Sequence, residues 1–363
     1  AKTVALVFGA DLSKGPDAEA ATAALANLAL VCGALHGEVG GLFPVDEKGN
    51  MQGLLDMGVC PEFLPGQQDY AAASAAFDKA WQATLPKGGR DAHGILEGIE
   101  SGEVKFLYLA ATNPLVAFPE AGRWRKALQQ VEFLVVQDIL ASDLTALADV
   151  VLPGSGFAEK SGSVTSLDQR VNCLTKATDA PGEAREDLVI LADMYQRLLG
   201  PHHTFSPDSL VAEIRALVPL YADVCFPAPG LCRPCLKEPY APAAGSLRFT
   251  PVVIEPAVVS GLQLVSGKIL SHFGTTTTYA DGCLAVAPAG YVEMNPANAE
   301  ACGVKDGSRI QLTSACGSTV AKVKFSSQVP AGVLFAPYHF ADTAIQQLVP
   351  AGSNRVTVQV ARA

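Results

Sequence analysis

The sequence predicts an α/β fold, a parallel-sheet, Rossmann-like region, followed by a separate β-barrel-like domain. Three observations carry this. Apolar runs at residues 104–114 (VKFLYLAATNP), 133–136 and 149–152 recur in series, each followed at once by polar, Gly- or Pro-bearing sequence, with helical patterns between them. Strands alternating with helices imply a parallel sheet with right-handed crossovers. From residue 257 onward the pattern changes to short strand-like runs punctuated by turn residues roughly every 8–12 positions, which reads as an all-β barrel.

Taken in order, residues 3–10 (TVALVFGA) read as a buried strand closed by Gly9, and residues 18–35 have a helical period with Gly33 near the end. Residues 37–66 are Gly/Pro-punctuated and poor in periodicity, a long loop of the kind that is functional or packed on another domain. Helices are expected over 70–85 and 94–101, crossover helices over 121–130 and 142–148, and an amphipathic helix over 187–199 that Gly200-Pro201 ends. The expected domains are 1–200, with lobes 1–66 and 67–200, a Pro-rich surface linker over 201–256 with one periodic segment at 209–218, and the barrel over 257–363.

At 363 residues the chain exceeds one ordinary core. With 49% hydrophobic and only 17% charged residues it is a well-buried globular chain. The net charge of −10 argues against a nucleic-acid phosphate backbone as partner, although backbone N–H groups can still hold a small anionic cofactor. No apolar run approaches the roughly 20 residues that span a bilayer, and no signal sequence is legible, so reduced thiols and a cytoplasmic setting are expected. The chain lacks an initiator Met and starts almost inside a strand, which suggests a piece of a longer polypeptide.

The candidate site is the row of strand ends. Asn113-Pro114, Gln137-Asp138 and Pro153-Gly154 each sit just past a strand, where an open parallel sheet holds nucleotide-like ligands. Asp138 is placed to accept hydrogen bonds from sugar hydroxyls or a base edge, or else to cap a helix. Glu159, with Ser161 and Ser163 in a Gly-bearing loop, either orients a heterocycle or forms a solvated turn. His272 and Thr275–Thr278, in SHFGTTTT, make a polar loop in an apolar domain, able to cradle phosphate or simply to satisfy its own backbone. Cys225, Cys232 and Cys235 are the one clustered cysteine set; free thiols are favoured over a metal site because a fourth ligand is missing nearby. There is no P-loop, nucleophile elbow or strict Gly-x-Gly-x-x-Gly.

These residues carry a resemblance. LVVQDILASDLTALADVVLPGSGFAEKSGSVTSLDQRV resembles the segment of molybdopterin oxidoreductases whose strands and Glu-x-x-Gly loop line a pterin-dinucleotide crevice. NMQGLLDMGVCPEFLPG looks like their NxQGxxDMGxxPxxLPG stretch, which is prominent in formate dehydrogenases. PGEAREDLVILADMYQRLLG is similar to the helix that follows. SGKILSHFGTTTT, EMNPANAEACGVKDGSRIQLTSACGS and GVLFAPYHF resemble the loop, turn and strand of the family's C-terminal double-psi β-barrel.

The resemblance implies formate dehydrogenase/DMSO reductase-like domains, and cofactor contacts at Asn113, Gln137, Asp138, Glu159, Lys268, His272, Thr275, Thr276 and His339. Lys268 stands where the family usually has Arg, and AIQQLVPAGSNRVTV replaces an Asn-x-Leu-Thr element and a Pro-x-Tyr-Lys ending. The family's iron–sulfur cysteines and molybdenum ligand would lie upstream of Ala1. The resemblance thus extends to a branch that keeps the fold without the cofactor, the large iron–sulfur subunit of bacterial NADH:quinone oxidoreductase, respiratory complex I. On that reading this part is a structural support, not itself catalytic, with no molybdopterin guanine dinucleotide and no metal. Its partners are the other subunits of a respiratory NADH dehydrogenase complex that holds it at the cytoplasmic membrane. The alternative is part of a formate-dehydrogenase-like enzyme that binds the dinucleotide.

Overall fold

A computed structural model describes residues 3–13, 17–35, 40–46, 48–200, 206–224, 248–253 and 260–363. Strand β1 (Ala5–Gly9) leads to helix α1 (Ala18–Val31). The helix stops short of residue 35 because Gly33 turns left-handed at φ +65° and the amides of Gly33 and Ala34 fold back onto the carbonyls of Leu30 and Ala29. Strand β2 (Gly41–Val45) and helix α2 (Met51–Asp56) follow, then the short strands β3 (Phe63–Leu64) and β4 (Gln68–Asp69). The segment expected as an irregular loop therefore contains a strand, and β2 pairs in parallel with β1. Its partner is more than thirty residues away, which local periodicity does not register.

Helix α3 (Tyr70–Trp81) is capped by Asp69, whose carboxylate accepts the Ala71 and Ala72 amides at 2.9 and 3.2 Å, and it ends where Gln82 turns left-handed. Then come α4 (Ala92–Glu100), strand β5 (Phe106–Ala110), α5 (Pro114–Ala117), α6 (Ala121–Leu128), β6 (Phe133–Asp138) and β7 (Val150–Pro153). The crossover helix expected over 142–148 is only a 3-10 turn at Thr145–Leu147. There Thr145 Oγ1 donates to the Ser142 carbonyl and accepts from the Ser142 amide, both at 2.8 Å, so the side chain competes with a helical ladder. Strands β8 (Gly162–Thr165) and β9 (Val171–Leu174) form a hairpin, and α7 (Asp187–Leu199) has the expected bounds. Within the expected linker α8 (Pro207–Leu217) is a helix, closed at its start by reciprocal bonds between Ser206 and Ser209. The rest of that stretch, including Cys225, Cys232 and Cys235, is mostly outside the described residues.

The C-terminal elements are β10 (Leu262–Gly267), α9 (Asp281–Val286), β11 (Val292–Met294), α10 (Pro296–Ala301), β12 (Arg309–Thr313), β13 (Ser318–Phe325), β14 (Val333–Pro337) and β15 (Arg355–Arg362). Six strands close a barrel in the order β10-β14-β11-β13-β12-β15. Two pairs, β10 with β14 and β11 with β13, are parallel and the other four antiparallel. Alternation along β12 sends Ile310 and Leu312 inward, where they meet Leu264, Val292, Met294 and Leu334, all fully buried.

The chain divides into two compact units that do not follow chain order. One contains the described residues of Ala1–Ser13, Glu19–Ile95 and Leu152–Val253; the other contains those of Lys14–Ala18, Leu96–Val151 and Ile254–Ala363. The β5–β6 strands thus share a unit with the barrel. No described helix is long and apolar enough to cross a membrane.

Candidate cofactor site

Strands β5 and β6 run parallel and in register, with Ala110 opposite Gln137, so their carboxyl ends coincide. The chain leaves β5 through Ala111, left-handed at φ +53°, whose amide donates to the Gln137 carbonyl at 2.8 Å. Asn113 then caps α5, its Oδ1 accepting the Leu115 amide at 3.0 Å, with Pro114 at the first helical position. Gln137 is buried, and its Oε1 accepts from the Tyr108 hydroxyl on β5. Asp138, at the end of β6, accepts the Ile139 amide at 2.7 Å; burial pushes its carboxyl pKa up, opposed by the bonds from the Ile139 and Leu140 amides.

The barrel supplies the other half of the site. Because β10 and β14 are parallel neighbours, with Gly267 opposite Pro337, the loops that follow them leave from the same end. The first carries Lys268 and His272. His272 is fully buried: Nε2 donates to the Ala287 carbonyl at 2.9 Å and Nδ1 lies 3.1 Å from Thr277 Oγ1. The Thr277 and Thr278 hydroxyls turn back onto the Gly274 and Thr275 carbonyls at 2.6 Å, while those of Thr275 and Thr276 meet no protein partner among the described residues. At the end of the 3-10 turn Thr275–Tyr279, the Tyr279 hydroxyl donates to the Ala141 carbonyl at 2.9 Å, which ties the loop to the segment after β6. Burial raises the Tyr279 pKa, with the Asp138 and Asp143 carboxylates adding to it.

The second loop carries His339. Its ring is 1% exposed, stacks on His272 with centroids 5.2 Å apart, and has no hydrogen-bond partner at either nitrogen among the described residues. Burial above all, with His272 and Lys268 adding to it, pulls its pKa down to about 4. At neutral pH the ring therefore holds one N–H and one lone pair, both unspent. Further along, the turn Ile345–Gln347 packs against α5 and α6, beside the exit from β5.

Asn113, Gln137, Asp138, Lys268, His272, Thr275, Thr276 and His339 thus belong to one compact unit, and Glu159 belongs to the other. Glu159 closes its own turn: its Oε2 accepts the Gly156 amide at 2.7 Å and its own amide donates to the Gly156 carbonyl at 3.0 Å. In that same unit the Asn50–Gly66 stretch builds a buried polar knot that the sequence reading did not resolve into roles. The Asp56 carboxylate, fully buried, accepts from Gln52 Nε2 at 2.8 Å, Gln67 Nε2 at 2.9 Å and the Tyr221 hydroxyl at 2.9 Å. The Tyr221 oxygen also lies 2.7 Å from Thr165 Oγ1, and Asn50 Oδ1 accepts the Thr165 amide at 2.9 Å. Gly53 leaves them room, since a Cβ there would lie 2.2 Å from Asn50 Oδ1, which would have to move. Among the described residues no group of three or more His, Cys, Asp or Glu side chains is placed to hold a metal ion.

Residues 1–197 match the molybdopterin oxidoreductase family model, and residues 262–361, the span of the closed barrel, match the molybdopterin dinucleotide-binding domain. The chain belongs to the molybdopterin oxidoreductase family. It is 41% identical over its full length to the NADPH-Fe(3+) oxidoreductase subunit alpha of Geobacter sulfurreducens, of which it covers 42%. It is 31% identical over 89% of its length to the F420-dependent formate dehydrogenase subunit alpha of Methanocaldococcus jannaschii, of which it covers 51%. It is 30% identical over 99% of its length to an NADH-quinone oxidoreductase subunit of Rhizobium meliloti, of which it covers 42%. The chain therefore spans about half or less of the length of these curated relatives, all named as subunits. Acetylene hydratase from Pelobacter acetylenicus shares the fold over 75% of this chain and 46% of that one, with a TM-score of 0.56 at 16% identity.

The family match bears out the resemblance, while the three names divide over the specific activity. It also corrects one expectation. The departures at Lys268 and after His339 suggested that no cofactor is held, whereas the dinucleotide-binding domain match covers the whole barrel and indicates a molybdopterin cofactor. The local chemistry fits such a group. Lys268 keeps a cation at its position, and the orphaned polar atoms of His339 and Gln346 are what a buried site looks like when its partner is a ligand.

Proposed function

We propose that this chain is the part of a larger oxidoreductase subunit that holds a molybdopterin dinucleotide, within a cytoplasmic, nicotinamide-linked electron-transfer complex. The observation that carries the cofactor reading is His339, a buried neutral imidazole with two unspent nitrogens, inside a barrel that matches the dinucleotide-binding domain. Support for a nicotinamide-linked complex is the 41% identity to a subunit named for NADPH and Fe(3+) and the 30% identity to one named for NADH and quinone. We read the β5–β6–β7 sheet as Rossmann-like and the barrel, with its two parallel pairs, as double-psi.

When bound, the cofactor supplies metal-centred redox chemistry. The chain's own part is to bind and orient it. His339 offers one donor and one acceptor, and the Thr275 and Thr276 hydroxyls and the Lys268 ammonium suit anionic oxygens. Asp138, at the end of β6, suits a donor-bearing base or sugar. His272, bonded at both nitrogens, holds the His339 ring in place by stacking.

The test is to purify the full-length subunit with its native partners from a molybdenum-replete host. Pterin, nucleotide and molybdenum are assayed, and activity is compared with NADPH or NADH against ferric and quinone acceptors. Stoichiometric pterin with nicotinamide-dependent reduction is expected. Formate-dependent reduction in its place would favour the formate dehydrogenase reading, and the absence of pterin would overturn the cofactor reading.

A further inference from the structure

Within their shared unit, the barrel is joined to the β5–β6 region by fastenings of two kinds. One is a seam. The turn Ile345–Gln347 packs on α5 and α6, and beside it the Glu120 amide donates to the carbonyl of the fully buried Val349 at 3.0 Å. The other is the bond from the Tyr279 hydroxyl to the Ala141 carbonyl, which hangs on one side chain that is 52% exposed. A buried backbone seam opens only with the packing around it, whereas an exposed hydrogen bond exchanges for water at small net cost. The ends of this second fastening fall beside the candidate ligand groups. Ala141 lies three residues beyond Asp138, and Tyr279 three residues beyond Thr276. The turn that carries Tyr279 is stiff in itself. The Thr277 and Thr278 hydroxyls bond the Gly274 and Thr275 carbonyls, and Thr277 Oγ1 lies 3.1 Å from Nδ1 of the buried His272. Tyr279 therefore ends a stiff arm of the barrel, close enough to the Asp138 carboxylate for that charge to help keep its phenol protonated, and so a donor.

We propose that Tyr279 is a latch: its bond to Ala141 closes the opening between the Thr275–Thr276 turn and Asp138, and it breaks, while the seam at Val349 holds, each time the dinucleotide enters or leaves. This rests on the cofactor reading above. Tyr279 is then a positioning residue that touches no ligand. Its bond stabilises the closed arrangement whether the site is empty or filled, so its loss speeds opening in both cases. Uptake and release rise together, and affinity stays where it was. Loss of a side chain bonded to the ligand itself changes release and leaves uptake nearly as it was.

The experiment uses the full-length subunit, made in a molybdenum-replete host and again in a host that makes no pterin cofactor. Tyr279→Phe, which removes only the hydroxyl, is compared with wild type and with Gln263→Met. The control loses another exposed bond of the barrel, from Gln263 Nε2 to Thr357 Oγ1 at 2.7 Å. Three quantities are read: the rate at which loaded protein loses pterin, the rate at which cofactor-free protein takes up pterin dinucleotide extracted anaerobically from a denatured molybdoenzyme, and the melting temperature of the cofactor-free protein. For Tyr279→Phe both rates are expected to rise about fivefold, the weight of one neutral hydrogen bond, with a melting temperature as close to wild type as that of Gln263→Met. Gln263→Met changes neither rate. Tyr279→Phe with both rates unchanged overturns the latch while the cofactor reading stands. Faster release with unchanged uptake also overturns it, because Tyr279 then bonds the ligand. A lowered melting temperature with unchanged rates reduces Tyr279 to a structural part and overturns it as well. Wild-type protein that carries no pterin from the replete host overturns the cofactor reading and this inference with it.

Discussion

His272 and His339 stack at 5.2 Å between ring centroids, yet one ring is bonded at both nitrogens and the other at neither. The difference assigns their work. His272 is built into the loop after β10, and His339, on the loop after β14, is left unbonded beside it.

The pH dependence of stability should carry the signature of His339. Its folded pKa is depressed from 6.5 to about 4 by burial, so between those values the unfolded chain binds the additional proton. Stability from this group is therefore full above about pH 6.5 and is lost as pH falls towards 4, by about 3 kcal/mol in all. Denaturant unfolding of the cofactor-free protein at pH 7, 6, 5 and 4 should show this loss, and His339→Gln should flatten that part of the curve. An identical slope in the variant would assign it to other groups.

Removing the Asp56 carboxylate should be among the most destabilising single changes in its unit. Asp56→Ala strands donors from Gln52, Gln67 and Tyr221 in a buried place, for a loss of about 3–5 kcal/mol. Tyr221→Phe removes one of the three bonds and should cost about 1.5–3 kcal/mol. Equilibrium unfolding that ranks the two variants in the other order would contradict the network.

Gly53 and Asn50 should be coupled. A Cβ at position 53 displaces Asn50 Oδ1 from the Thr165 amide, so Gly53→Ala should cost about 1–3 kcal/mol. In an Asn50→Ala background, where that oxygen is already gone, the same change should cost much less. Additive effects in the double-mutant cycle would show that the clash is relieved elsewhere.

Ala111 is a left-handed residue at the exit from β5, a conformation that disfavours any Cβ. Ala111→Gly should raise stability by about 0.5–1 kcal/mol, read as a higher denaturation midpoint at constant slope. A lower midpoint would mean that chain entropy outweighs the relieved strain.

Much of the architecture was legible in the pattern of residues. The run at 133–136 reads as a strand and forms the first four residues of β6, and the 3.6-residue period over 187–199 reads as a helix and forms α7 with those bounds. Glu159 closes a turn, one of its two readings, and Asn113 caps a helix, a role the sequence offered only for Asp138. Two expectations failed for opposite reasons. Residues 142–148 have a helical period, but the Ser142–Thr145 bonds hold them as a 3-10 turn. Residues 41–45 have little strand pattern and become β2 because β1 is there to pair with. Gln346 and Asp56 passed unremarked, the first because a polar pair inside AIQQLV gives no hint of which amide is bonded, the second because its partners are as far away as Tyr221.

The sequence by itself determined the alternation of strands and helices, the switch to short β segments near residue 260, and membership of the molybdopterin oxidoreductase family. All are written in local order, in periods and motifs along the chain. Only the tertiary structure decided that β10 and β14 are parallel neighbours, which brings the loops after them together, and that His272 is satisfied where His339 and Gln346 are not. Hydrogen-bond satisfaction is a property of what surrounds an atom, and no local pattern along the chain records it.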